Sequence, residues 1–147
     1  MKNPGKFVSE SLGDILKPKS KEEIAVDLKD ADPYGLYGTL MLPGNPYPIE
    51  AQPLVFQIWN DFKDRFPESV TEQLKGENLG SFGTSVQFSA ELNGRSIWVT
   101  TMPKNIVMFK IYPFKKIRDR ELKKIISANN YMLENMDQYH KVIQHLK

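Results

Sequence analysis

The sequence contains no cysteine, which excludes disulfide bonds, thiol nucleophiles and cysteine-ligated metal sites. No stretch approaches the ~18 apolar residues that a membrane-spanning helix requires. Residues 1–6 lack the long apolar core of a signal peptide. His140 and His145 are the only histidines, and on one helix they would point ~140° apart, too far to share a metal. We therefore expect no membrane partner, no metal and no cofactor.

No catalytic motif is recognisable either. The glycine-containing stretch 80–84 precedes a predicted strand instead of opening a helix, so it does not form a phosphate-binding loop. No nucleophile motif surrounds any serine or threonine, and without a pocket no carboxyl group can be identified as a general acid. The sequence therefore predicts a protein that is not an enzyme.

Two hairpins in a row dominate what is present. Residues 85–92 alternate between polar and apolar, which is typical of a half-buried strand. Asn93-Gly94 favours a two-residue turn, and the β-branched and aromatic residues of 95–101 return as a second strand. A two-residue turn pairs Phe88 with Val99, so the apolar residues of both strands lie on one face.

The second turn, Pro103-Lys104-Asn105, is predicted to hold three residues. A three-residue turn pairs Val99 with Phe109, whereas a two-residue turn would put Lys110 opposite Ile97 on the buried face. The apolar pattern favours the first register. It predicts a core face made of Val86, Phe88, Ala90, Ile97, Val99, Val107, Phe109 and Ile111.

The same register predicts an unusual patch on the opposite face. The patch contains Trp98, Ile106, Met108, Lys110 and Tyr112. Exposed apolar patches usually mark interfaces, and Trp and Tyr are typical anchors of such contacts. The alternative is that one of the N-terminal helices, or the Leu54 helix, covers this face.

The remaining elements are predicted to be mainly helical. Residues 1–30 form a docked segment of two short helices, 36–42 a strand, 43–53 a proline-rich loop, and 54–66 an amphipathic helix. Pro67 ends that helix or starts a short one through Leu74. Asp119 caps a C-terminal helix that extends to residue 147 if Asn129-Asn130 does not break it.

These elements predict a single domain, 1–147, of the α+β class. It is a two-layer structure in which an antiparallel sheet of three or four strands, with the meander 85–112, carries helices on one face. The Leu54 helix and a long C-terminal helix are expected to pack on the Val86, Phe88, Val99 and Phe109 face.

The charge is divided unevenly along the chain. Residues 1–101 carry 10 Lys/Arg and 14 Asp/Glu, a net −4, whereas residues 102–147 carry 10 and 4, a net +6. Such asymmetry can indicate a nucleic-acid partner, although exposed helix faces are also routinely lysine-rich. Besides Lys110, the basic run that would contact phosphates consists of Lys104, Lys115, Lys116, Arg118, Arg120, Lys123 and Lys124.

One stretch near the N-terminus, residues 7–24, resembles known sequences. Residues 7–24, FVSESL followed by LKPKSKEEI after a three-residue gap, resemble the N-terminal headers of uncharacterised proteins of large tailed phages, including crAss-like phages. The resemblance covers 18 of 147 residues. It implies a phage-encoded protein in the host cytoplasm or the virion, and it assigns no functional residue.

Two functions follow as expectations. The first is a non-enzymatic assembly or protein-interaction module, a phage virion or accessory protein, that binds a protein partner or a second copy through the Trp98 patch. The alternative is a nucleic-acid-binding protein that uses the basic run 104–124.

Overall fold

The computed structural model of the protein describes residue 32 and residues 34–36, 53–78 and 84–147. Its elements in chain order are α1 (Leu54–Arg65), β1 (Val70–Asn78), β2 (Thr84–Leu92), β3 (Arg95–Met102), β4 (Ile106–Tyr112), α2 (Arg120–Lys124), β5 (Ile126–Ser127), β6 (Asn130–Leu133) and α3 (Met136–Leu146). The strands form one antiparallel sheet in the order β1-β2-β3-β4-β6-β5. The α+β class predicted from the sequence is confirmed.

The meander β2-β3-β4 has the predicted register. Phe88 pairs with Val99, and Val99 pairs with Phe109 across a three-residue turn, Pro103–Asn105. Asn93 and Gly94 both have positive φ, as the two-residue turn requires. Asn-Gly was sufficient for the first hairpin, and the two-residue apolar period decided the length of the second turn.

The core lies between one face of the sheet, which we call the inner face, and the helices α1 and α3. The buried apolar side chains of β2, β3, β4 and β6 occupy inner-face positions. They meet the apolar stripes of α1 and α3, as in Phe62 against Phe88 and Phe109 against Tyr139. The fully buried large side chains are Trp59, Tyr131, Tyr139, Phe56, Phe62, Phe88, Phe109, Ile58, Ile97, Ile117 and Leu122.

Two turn asparagines fasten the helices to the sheet. The side-chain amide of Asn93, in the β2–β3 turn, donates to the Leu146 carbonyl at the end of α3. The side-chain oxygen of Asn105, in the β3–β4 turn, accepts from the Leu54 amide at the start of α1. Each bond satisfies a backbone group that a helix end leaves without a partner inside the helix.

Of the two alternatives at Pro67, the end of the helix is correct, because α1 stops at Arg65, and a short helix through Leu74 is wrong. Val70–Asn78 forms β1, which pairs with β2 through two register shifts. The shifts break the alternation of apolar residues, and most β1 side chains are exposed, so the sequence lacks a clear two-residue period. Among residues 70–77 of this strand, only Leu74 is buried.

The C-terminal region corrects two further predictions. The sheet has six strands instead of three or four, and α3 is 11 residues long instead of extending from residue 120. Ala128 and Asn129 both have positive φ and form a two-residue turn between β5 and β6. Left-handed residues cannot continue a helix, and the apolar residues of 131–133 alternate in burial as a strand does.

Several predictions fall outside the described residues. The docked helical segment 1–30, the phage-like header 7–24 and nearly all of the proline-rich loop 43–53 belong to this group. Leu36, the first residue of the strand predicted at 36–42, is helical, and the remainder of that strand is not described.

Candidate interaction surface

The face of the sheet opposite the helices, which we call the outer face, holds all five patch residues predicted from the sequence. Cross-strand pairs fix their positions: Trp98 lies beside Lys110, Met108 beside Thr100, and Tyr112 beside Ser96. Ile106 lies beside Met102 at one end of the same strands. The patch therefore follows from the register of β3 and β4.

Trp98 is the centre of the exposed aromatic surface. It is 44% exposed and Tyr112 is 67% exposed, although large apolar side chains are normally buried. The Lys110 ammonium lies 5.5 Å from the centroid of the Trp98 ring, a cation–π contact. This contact holds the indole with one face against a cation while the ring stays accessible to a partner.

Methionines extend the patch across the sheet. Met108 and Met132 are directly paired between β4 and β6, and both are half-buried. Methionine side chains adapt to differently shaped partners because they are unbranched and polarisable. Met132 was missed because residues 130–133 were assigned to a helix. The alternation of Asn130-Tyr131-Met132-Leu133 after the turn residues was the available signal.

The acidic side of the outer face lies on β1 and β2. Glu72, Glu77 and Glu91 are exposed there. Glu72 accepts a hydrogen bond from the Ser89 hydroxyl and is 3.7 Å from the Lys75 ammonium. At β1 and β2 the outer face carries these three acids and one base, Lys75, so that part is acidic on balance. At β3, β4 and β6 the outer face is apolar with one cation, Lys110.

Most of the basic run lies elsewhere. The Tyr131 hydroxyl, on the inner side of β6, donates to the Lys115 carbonyl and accepts from the Ile117 amide, which holds the segment 113–119. The Lys115 ammonium donates to the His145 carbonyl of α3, and Leu122 of α2 is buried in the core. The segment 113–124 thus belongs to the helix layer, and Lys104 lies in the β3–β4 turn. The structure does not bring these cations together with Trp98.

A polar cluster stabilises the start of α2. The Asp119 carboxylate accepts from the Glu121 and Leu122 amides, and these backbone hydrogen bonds, the Leu122 one first, hold the pKa of Asp119 below its usual value. Lys141 of α3 is paired with Asp119 and Glu121. Its hydrogen bond to Glu121 raises the pKa of Lys141. The cluster is built for ion pairing between two helices.

A second polar cluster joins α1 and α3. The buried Tyr139 hydroxyl donates to Asp61 at 2.7 Å, and the Arg65 guanidinium donates to both oxygens of the same carboxylate. Burial first, and then the bond to Asp61, raise the pKa of Tyr139. Nearby, an open depression of about 260 Å³ is lined mainly by exposed side chains: Arg65, His140, Ile143, Gln144 and Lys147. Neither the cluster nor the depression places a nucleophile or a general acid inside a cavity.

Metal sites and membrane spans were sought in the same part of the chain. Among the described residues, no group of three or more His, Asp or Glu is arranged to hold a metal ion. Within those residues, no helix is both long and apolar enough to cross a membrane.

Comparison with known proteins gave no match. No protein-family model matches the chain, and neither a curated protein nor a solved structure matches it. The functional conclusion therefore depends on the geometry of the outer face and on the charges around it.

Proposed function

We propose that the protein is a non-enzymatic interaction or assembly module that binds a protein partner through the outer face. The contact residues are Trp98, Met108 and Tyr112, with Ile106 and Lys110 beside them. The single observation that carries the proposal is the 44% exposure of Trp98 at the centre of an apolar strip on an ordered sheet. A virion or accessory role in a phage is part of this proposal, and the position of the gene among capsid and tail genes would support it.

The composition of the strip supports protein binding. Trp and Tyr provide large contact areas at low cost in conformational entropy, and they are enriched among the residues that dominate binding energy. The charged groups lie around the apolar strip, except for Lys110, which is held against Trp98. An apolar centre with a polar border is the usual anatomy of a protein interface.

Site-specific photocrosslinking in the source cell tests the proposal. A photoreactive phenylalanine analogue at Met108 should give discrete crosslinked species whose second component is identified by mass spectrometry. The same analogue at Gln144, an exposed position on α3, is the matched control and should give none of them.

The crosslinks must also depend on the aromatic anchors. Changing Trp98→Ala and Tyr112→Ala together should remove them without unfolding the protein, because both side chains are exposed. Equal crosslinking from positions 108 and 144, or crosslinks unaffected by the double change, would reject the outer face as the contact surface.

Nucleic-acid binding is the second candidate, and one observation favours it. Lys116, Arg118, Arg120, Lys123 and Lys124 are exposed, and none of them forms an ion pair within the described part of the chain. Unpaired cations can neutralise phosphates with release of counterions. The weakness of this candidate is that the stacking aromatics of the outer face lie on the other side of the sheet.

Retention of duplex DNA as a function of salt tests the second candidate. Phosphate contacts by these five cations predict retention that falls steeply with salt, with a log–log slope of roughly −0.9 per neutralised phosphate. Changing all five to glutamine should abolish retention, while Trp98→Ala should leave it unchanged. No retention at low salt would reject this function.

A further inference from the structure

We propose that the partner of the outer face is a second copy of the chain, related by a two-fold axis that runs along β3. This inference rests on the proposed function, because it takes the outer face as the contact surface and names its occupant. The supporting observation is the order of charges across the sheet. One two-fold rotation brings the basic side of one copy against the acidic side of the other.

The charges are ordered along one row of cross-strand neighbours, which we call the Trp98 row. The register of the sheet places side by side, one from each strand, Glu72, Ser89, Trp98, Lys110 and Asn130. Trp98 is in the middle of the five. The acid lies two strands to one side of it and the base lies one strand to the other side.

A two-fold rotation about an axis along β3 reverses this row and keeps its position along the strands. Trp98 then meets Trp98 of the second copy, and Lys110 meets Ser89. Ser89 is buried, and its hydroxyl donates to Glu72. The long Lys110 side chain therefore contacts the exposed carboxylates beside Ser89, which are Glu72 on β1 and Glu91, two residues further along β2.

The other two-fold arrangement of the same faces is disfavoured by charge. An axis that lies across the strands through the Trp98 row leaves the row in its original order. Lys110 would then face Lys110, and Glu72 would face Glu72. Like charges directly opposite each other destabilise an interface, so the charge order selects the axis along the strands.

The available area sets a limit on a pair of this kind. With strands about 4.8 Å apart and a rise of about 3.4 Å per residue, four strands of about eight residues and the four residues of β6 cover roughly 590 Å². A stable interface buries about 800 Å² per partner. The pairing therefore has to use nearly the whole outer face, including Met132 and the acidic strand β1.

Sedimentation equilibrium over a dilution series is the first test, with purified full-length chain. The mass should rise from 16.9 kDa to twice that value as concentration increases. Acrylamide quenching provides a second measurement because Trp59 is buried, so the quenchable emission belongs to Trp98. Quenching should decrease over the same concentration range.

A charge exchange then tests the geometry. The base-side variant is Lys110→Glu, and the acid-side variant is Glu72→Lys with Glu91→Lys. Each variant alone should weaken self-association at least about tenfold. An equimolar mixture should restore it, because every reversed charge then meets its opposite. Lys123→Glu, an exposed change on α2, should leave self-association unchanged.

The outcomes separate this inference from the proposed function. A monomer at every concentration whose position 108 still crosslinks to a different protein would overturn the self-pairing and leave the proposed function standing. A monomer without any crosslink would overturn both. A dimer that does not respond to either charge variant would overturn the two-fold arrangement.

Discussion

Both faces of the sheet carry large apolar side chains at β3 and β4, but only those of the inner face are covered by helices α1 and α3. On β4, Phe109 points inward and is fully buried under α3, while its neighbours Met108 and Lys110 point outward beside an exposed indole. The inner face is apolar because folding requires it. The outer strip contributes little to the core, which is why we propose that its apolar residues contact another molecule. Comparing neighbouring residues on opposite faces therefore separates stability from binding.

The largest expected effect comes from the inner face. Phe109→Ala should lower the free energy of unfolding by about 3–5 kcal/mol, because it leaves a cavity against Tyr139. Lys110→Ala, the next residue, should change it by less than about 0.5 kcal/mol. Urea unfolding of both variants measures the difference. Similar losses from the two changes would show that the outer face is also part of the core.

The same comparison applies to β6, where the sequence prediction failed. Leu133→Ala should cost about 2–5 kcal/mol because Leu133 is fully buried. Met132→Ala should cost less than about 1 kcal/mol because Met132 lies on the outer face. Thermal or urea unfolding distinguishes them. Equal costs would favour a helix in this segment over a strand.

The turn before β6 decides which of these residues points outward. Ala128 has a φ of +51° there, a conformation that costs roughly 1 kcal/mol for a residue with a Cβ. Ala128→Gly should therefore raise the free energy of unfolding by about 0.5–1 kcal/mol. Ala→Gly at an ordinary helical φ lowers it by a similar amount, so a loss on urea unfolding would contradict the turn.

The last expected effect depends on pH, through the tyrosines of the interior, and it is absent at neutral pH. Burial raises the pKa of both Tyr131 and Tyr139, so above the ordinary tyrosine value of 10.0 the unfolded chain loses protons that the folded chain keeps. The free energy of unfolding should therefore be unaffected by these groups below that pH and fall as pH rises above it. Urea titrations at increasing pH measure the slope, and Tyr139→Phe should make it shallower.

Much of the sheet follows from local signals in the sequence. Asn93-Gly94 and the three-residue turn set the register of β2, β3 and β4, and that register predicted the side of the sheet on which Trp98 lies. The core face of the meander and α1 were predicted for the same reason. Each of these elements has an apolar period that agrees with its turn residues.

The remaining strands gave no comparable signal. β1 lies at the edge of the sheet and has two register shifts, so its apolar residues lose their spacing. The β5–β6 hairpin is only two and four residues long. Its turn uses Ala128-Asn129, a pair that does not favour positive φ as strongly as Asn-Gly does. The apolar residues within 131–136 also have the three- and four-residue spacing of a helical stripe, which favoured a helix in the sequence analysis.

The two asparagine anchors have a mechanical consequence. The β2–β3 and β3–β4 turns lie at opposite ends of β3, and each carries one of the hydrogen bonds to a helix end. Translation of the helices along the strands in either direction would stretch one bond or the other. Both hydrogen bonds therefore oppose sliding of the helix layer over the sheet, and we expect the outer face to keep its shape if a partner covers it.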